Sequence, residues 1–168
     1  MSIPIEIERK YVIYMPDISV LAEQDNYTVS KIRQTYLESE SGITHRIRMR
    51  VWHDRTVYTE TKKIRIDKMS AYEQEREIDE EEYHILLGCI KHGTRTLSKV
   101  RHTFTVAGQL FEVDVYPEWV KSCILETELR GREETVSVPE FIRVISEVTG
   151  DRRYSNASMS YEFTDEII

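Results

Sequence analysis

Two cysteines and five histidines are all the thiolate and imidazole ligands this chain carries, and neither set is arranged to hold a metal. Cys89 and Cys123 lack ligand spacing and lie in apolar surroundings, so they read as structural thiols. His45, His53, His84, His92 and His102 form no ligand pair, which argues against a zinc site. A long apolar run is also missing: the longest, around Ile85 to Ile90, is far short of a bilayer span. Met1-Ser2-Ile3-Pro4 runs into the first strand without a basic and apolar leader, so a cytoplasmic location is the expectation. Positive charge is in deficit, with 30 acidic residues against 23 basic and a net charge of −7. No global field would draw in nucleic acid or an anionic membrane, and any polyanion would need a local cluster, helped by metal. Neither a Gly-x-x-x-x-Gly-Lys-Ser/Thr loop nor a Gly-x-Gly-x-x-Gly turn occurs, so there is no glycine-rich backbone cradle. Repeats, low-complexity tracts and Pro/Ser linkers are absent as well. With 168 residues, 40% of them hydrophobic, one domain over 1–168 is the reading.

What is present is alternation at period two, the mark of strands. Eight are read at 3–14, 29–38, 43–53, 56–66, 70–79, 97–107, 109–117 and 123–132. Short links join many of them: Ser39-Glu40-Ser41-Gly42, His53-Asp54-Arg55, and Ala107-Gly108-Gln109 with Gly108 free to take a positive φ. Such links imply an antiparallel order. Three segments break the alternation and read as helices outside the sheet: "MPDISVLAEQ" capped by Asp17, "IDEEEYHILLGCIKHG" capped by Asp79 and ending on Gly93, and "SVPEFIRVISEVTG" from Pro139 to Gly150.

The charged face of these strands is unusual. The first puts Glu6, Glu8 and Lys10 together, the third Arg46, Arg48 and Arg50, the fifth Glu73, Glu75 and Glu77, the sixth Lys99 and Arg101, the seventh Glu112 and Asp114, the eighth Glu126 and Glu128. On the fourth, "YTETKKI" places Lys62 on the parity of Glu60. An open sheet with a solvated face is the plain explanation, its charges paired across strands. Against it, like charges two apart on one strand repel and call for compensation. Eight strands can instead close into a barrel that holds a small ligand and leaves no free edge. The apolar parity would then face out under the helices and the charged parity would line a wet lumen, because dry unpaired ions cost several kcal/mol each. The expected class is therefore α+β, mainly antiparallel, an eight-stranded closed barrel with helices packed outside.

Sorted by sign, the lumen would offer Glu6, Glu8, Asp114, Glu126 and Glu128 as oxygen ligands for a hard cation such as Mg²⁺ or Mn²⁺. Lys10, Arg46, Arg48, Lys62, Lys99 and Arg101 would face phosphate oxygens. A ligand with several phosphates, a nucleotide or an inorganic chain, satisfies both sets.

The ordered series "EIERK", "RIRMR", "ETKK", "YEQEREI", "SKVRHTF", "FEVDVY", "LETEL" and "EVTGDRRYSN" resembles the CYTH superfamily of triphosphate tunnel metalloenzymes in its compact bacterial form, from Ile5 to about Asn156. The resemblance implies a charged eight-stranded tunnel, metal on the five carboxylates named, and phosphates gripped by Lys10, Arg46, Arg48, Lys62 and Arg101, with Lys99 in the same pattern and Arg153 adding a contact where the closing segment plugs one end. It departs at Ala71, where relatives often carry an arginine that Lys68 could replace, and at Phe141, the stand-in for a tryptophan motif. The implied activity is metal-dependent hydrolysis of a small-molecule triphosphate, most simply tripolyphosphate, with Lys10, Arg46, Arg48 and Lys62 carrying it. Rivals are an adenylyl cyclase, a thiamine triphosphatase with an aromatic clamp from Tyr14, Tyr36, Trp52 or Trp119, and a non-catalytic polyphosphate-binding module. Oligomeric state is left open, a homodimer being among the options.

Overall fold

Period-two alternation carries over into strands through most of the chain. The computed structural model describes residues 3–168; Met1 and Ser2, where the leader reading began, lie outside the described residues. In chain order the elements are β1 (Ile5–Tyr14), α1 (Ile18–Ala22), β2 (Asp25–Leu37), β3 (Thr44–Trp52), β4 (Arg55–Arg65), β5 (Ser70–Ile78), α2 (Glu80–Leu87), β6 (Leu97–Val106), β7 (Gln109–Val115), β8 (Ser122–Glu128), β9 (Val144–Glu147), a 3₁₀ turn (Arg152–Tyr154) and α3 (Asn156–Tyr161).

These strands pair antiparallel throughout, and the ring runs β1-β8-β7-β6-β2-β3-β4-β5 and back to β1 through Ile5–Tyr72, Glu6–Ala71 and Ile7–Ser70. Eight strands thus close into a barrel, as the alternation predicts, and β9 lies beside β1 outside the ring. Closure decides against the open, solvated sheet. The turn at Ala107-Gly108 has both residues at positive φ, 50° and 78°, the backbone that a tight two-residue hairpin demands.

Asp17 and Asp79 cap α1 and α2 as read, accepting from the Ser19 and Glu82 backbone N–H groups at 2.9 and 2.8 Å. The second helix stops at Leu87, well before Gly93. The third expected helix is not there. Pro139 to Ile142 forms a turn, Ile142 N–H donating to the Pro139 carbonyl at 2.9 Å, and β9 follows. Two causes are visible. Val144 and Ile145 are β-branched and favour extended backbone. Beyond Ile7, β1 parts from β5 and leaves an edge from Tyr11 to Ile13 that β9 pairs with, clamped by two 2.9 Å bonds from Arg9 to Glu147.

Two apolar clusters lie outside the barrel wall. One gathers Tyr11, Ile13, Phe104, Phe111, Val113, Cys123 and Leu125 with Leu21 of α1, Ile142 and Phe141; Phe141 tilts against Phe104 at 6.1 Å. The other packs Leu37, Ile47 and Ile78 against Tyr83 of α2. A third cluster is inside. Val12, Leu97 and Ile124 share the inward parity of Glu8, Lys99 and Glu126, and with Tyr116 they meet Trp119, Tyr154 and Met159. The inward face is therefore not charged throughout: at one end it turns apolar, and the closing segment seals it as a floor. α3 plugs the barrel end, an exception to helices packing outside.

Candidate functional site: a charged cup

The register decides which charges meet. Inward-facing residues line a cavity of about 340 Å³: Glu6, Glu8 and Lys10 from β1, Arg46, Arg48 and Arg50 from β3, Thr61, Lys63 and Arg65 from β4, Glu73 and Glu75 from β5, Arg101 from β6, Glu112 from β7, and Glu126 and Glu128 from β8. Tyr36 of β2 and Asn156 of α3 complete part of the wall. In the ring order β3 and β8 are four strands apart in either direction, so the arginine row faces the glutamate row across the cavity.

Near the floor the charges are paired. Lys10 Nζ lies 2.9 Å from Glu126 Oε1. Arg101 forks onto Asp114 at 2.6 and 2.7 Å, reaches Glu126 at 3.0 Å and pairs with Glu112; Lys99 meets Asp114 at 2.5 Å. Burial works against the charge on Lys10, yet Glu126 and Glu8 hold its ammonium above the ordinary range. Burial likewise opposes the Glu126 carboxylate, and Lys10 and Arg101 hold it well below the usual value.

Away from the floor close ion pairs are fewer. Among the described residues Arg48 meets only the Gln34 side-chain carbonyl, at 2.8 and 3.2 Å, and burial, then Arg46 and Arg101, pull its guanidinium down to about 10. Arg46 approaches Glu73 only to 3.8 Å and its Nε is buried without a hydrogen-bond partner, although against its burial Tyr36, Glu73 and Glu75 hold its guanidinium above the ordinary range. Among the described residues Glu8 and Glu128 form no ion pair, while Lys63 serves Glu6 and, at 3.4 Å, Glu73. Partial burial, then the Glu6, Glu73 and Glu8 carboxylates, push the Glu128 carboxyl up. Glu8 and Glu128 stand directly opposite each other across the β1–β8 ladder, where like charges repel.

The structure brings Glu6, Glu8, Lys10, Arg46, Arg48, Arg101, Glu126 and Glu128 to one cavity. It does not bring Lys62, which is exposed on the outer face; Lys63 takes the inward position. The hairpin explains the exchange. Trp52 pairs with Arg55, so the turn is two residues, His53 (φ 54°) and Asp54, and not the expected three. One residue fewer in the turn inverts the facing of all of β4, and Glu60 accordingly points outward to His45 and Arg76 at 2.7 and 2.6 Å. Arg153 also stays out, its side chain exposed and forked onto Asp151 at 2.7 Å. Asp114 and Lys99 lie beneath the cavity wall, 0% and 4% exposed. Lys63, Arg65, Glu73 and Glu75 went unassigned by sequence; only the charged alternation of the fifth strand signalled the two glutamates. Lys68 is exposed beside a side crevice, and Ala71 is buried opposite Glu6.

Among the described residues no three His, Cys, Asp or Glu side chains converge closely enough to hold a metal ion between them. Glu6, Glu8 and Glu128 do line one cavity, and carboxylate oxygens are the donor type that a hard divalent cation takes. Of the aromatic residues offered as a clamp, Tyr36 alone lines the cavity. Trp119 is in the floor, Tyr14 stacks under Arg143 at 4.6 Å, and Trp52 is held by Arg50 and Arg55 at 5.0 and 5.7 Å. No described helix is long and apolar enough to cross a membrane.

Fold and site together define a closed antiparallel barrel whose interior carries unpaired groups of both signs. No protein-family model matches the chain, and no curated protein matches it in sequence. Among solved structures, the inorganic triphosphatase NE1496 is 27% identical over 93% of this chain and 94% of its own, with a TM-score of 0.58. PH1819 from Pyrococcus horikoshii OT3 is 23% identical over 76% of this chain and 80% of its own, TM-score 0.58, and HpAC1 from Hippeastrum 16% over 76% and 81%, TM-score 0.52; these two show the fold alone. The fold is that of the CYTH, or triphosphate tunnel metalloenzyme, superfamily.

Proposed function

We propose that the chain hydrolyses a triphosphate with the help of a divalent cation, and that inorganic tripolyphosphate is the simplest substrate. One observation carries the reading: Arg46, with an unpartnered Nε, and Arg48, with no carboxylate partner, face Glu8 and Glu128, which form no ion pair among the described residues, across one cavity. Each row lacks what the other offers, and a polyphosphate with its bound cation supplies both. The likeness to an inorganic triphosphatase at 27% identity supports the same class.

Glu6, Glu8 and Glu128 would hold Mg²⁺ or Mn²⁺, which when bound neutralises phosphate oxygens and acidifies water. Arg46, Arg48 and Lys63 hold the terminal phosphoryl group and stabilise the charge that spreads over its oxygens. Water adds to the terminal phosphorus, the bridging P–O bond breaks, and diphosphate, phosphate and one proton leave. Lys10 steadies the middle of the chain from its place beside Glu126. Charge and positioning do the chemistry, so a side-chain base is not required.

A nucleotide base finds little here, since Tyr36 is the single aromatic residue on the described wall. Phosphate release from tripolyphosphate, ATP and thiamine triphosphate, each with Mg²⁺, Mn²⁺ or chelator, tests the proposal. Tripolyphosphate is expected to turn over fastest, activity to vanish in chelator, and Arg48→Met to cost about ten- to a thousand-fold in rate. Cyclic nucleotide from ATP would replace the reading with a cyclase, and tight binding without product would replace it with a binding module.

A further inference from the structure

Asp114 and Lys99 count among the metal and phosphate ligands when residues are matched by order along the chain, but their geometry is that of neither. Asp114 is 0% exposed and both its oxygens are taken: Oδ1 accepts from Arg101 Nε at 2.6 Å, Oδ2 from Arg101 Nη2 at 2.7 Å and from Lys99 Nζ at 2.5 Å. A fork of this kind is the most directional bond an arginine makes. To reach a metal, Asp114 would have to release two buried cations into the apolar floor. Lys99 lies lower still, its side chain 1% exposed, its ammonium 5.7 Å from the Tyr116 ring centroid, on the same inward face as Leu97. A phosphate on the cavity side meets Arg101 first.

Resting on the triphosphate reading, we propose that Lys99 and Asp114 are positioning residues: Lys99 pins Asp114, Asp114 fixes the Arg101 guanidinium, and Arg101 alone of the three meets the substrate. The fork fixes the plane and height of that guanidinium, and Glu112 and Glu126 hold its sides. Of its five N–H groups, those on Nε and Nη2 donate to Asp114 and Glu126, and Nη1 is ion-paired with Glu112. The Nη1 edge, on a cation that lines the cavity, serves the ligand. Metal is then left to Glu6, Glu8 and Glu128.

The test is a binding cycle on the full chain. Tripolyphosphate affinity is measured in chelator for the parent, Lys99→Met, Arg101→Met and the double variant, and Mn²⁺ affinity by electron paramagnetic resonance for the parent, Asp114→Asn and Glu128→Gln. Residues that act through one another are non-additive. Lys99→Met is expected to weaken tripolyphosphate about fivefold, Arg101→Met more than tenfold, and the double variant no further than Arg101→Met. Asp114→Asn should leave Mn²⁺ affinity within about twofold while Glu128→Gln loses tenfold or more. Losses that multiply in the double variant would mean Lys99 grips phosphate itself, and an Asp114→Asn loss equal to that of Glu128→Gln would make Asp114 a ligand; either overturns the proposal. A merely structural role would lower stability and leave the affinities of the folded variants unchanged, which also overturns it. Should Asp114→Asn fail to fold, the Lys99 cycle still decides. These are binding readouts, so absence of turnover with the expected cycle would sink hydrolysis and keep the positioning, whereas a parent that binds neither probe sinks both.

Discussion

At the scale of single residues the sharpest contrast is between Lys62 and Lys63. They are neighbours of identical chemistry, and the barrel wall separates them: one exposed, the other bonded to Glu6 inside the cavity. Lys63→Met is expected to lower kcat/KM for tripolyphosphate about tenfold or more and Lys62→Met to leave it within about twofold, measured by phosphate release. Glu128 gives a second expectation, on stability. Its carboxyl is raised in the folded chain, so its charge is a penalty that is absent below the ordinary value of 4.5 and complete once pH has risen above the folded value. Glu128 is exposed and solvent screens the repulsion, so Glu128→Gln should raise the melting temperature of the metal-free chain by no more than about 1 °C at pH 7 and change it little at pH 4. Thermal scans in chelator at both values check the sign. Residue identity made this face legible in the sequence on β1, β3 and β8, because Glu6, Arg46 and Glu128 each sit in a run where every second residue is charged. It failed for β4, where "ETKK" carries charge on both parities and only the length of a turn decides.

At the scale of elements, the turns and the edges hold what alternation does not say. Where the β3–β4 turn is two residues, β4 presents Lys63; a third would present Lys62. The strand β9 was read as helix because its flanks, Pro139 and Gly150, are good helix punctuation, while the vacancy on the β1 edge that recruits it is a tertiary fact. Gly150 has a different task. At φ 74° its backbone passes Lys68 so closely that an added Cβ would lie 2.7 Å from the Lys68 Cβ. This contact docks the loop after β9 onto the β4–β5 turn, beside Glu8 and Lys10, at a crevice adjoining the cavity. Gly150→Ala is expected to cost about 1–3 kcal/mol in urea unfolding, from strained φ and displaced backbone together.

At the scale of the whole molecule, the ring is unevenly closed. β2 and β6 pair from Asp25–Thr105 to Gln34–Leu97, while β1 and β5 share three residue pairs before they part. Backbone amides at Ile5 to Ile7 and at Ser70 to Tyr72 should exchange with solvent deuterium well before those of Val29 to Ile32, as local opening follows the sparsest pairing. Equal protection at the two places would show that the seam is no weaker than the wall. Closure itself was legible from the count of two-faced strands, but the floor was not. Val12, Leu97 and Ile124 fit the inward alternation without looking different from outward apolar residues, and only the docking of Tyr154 and Met159 reveals which side they face.

The position of β1 has a consequence for how such a chain comes to be made. It is made before every other described strand, yet its partners are β5, β8 and β9, and the two that pair with its latter half come near the far end of the described chain. During translation Ile5 to Tyr14 would wait with bare amides and apolar side chains while the rest is polymerised. A nascent chain in that condition is slow to fold and a natural client for a holding chaperone at the ribosome exit.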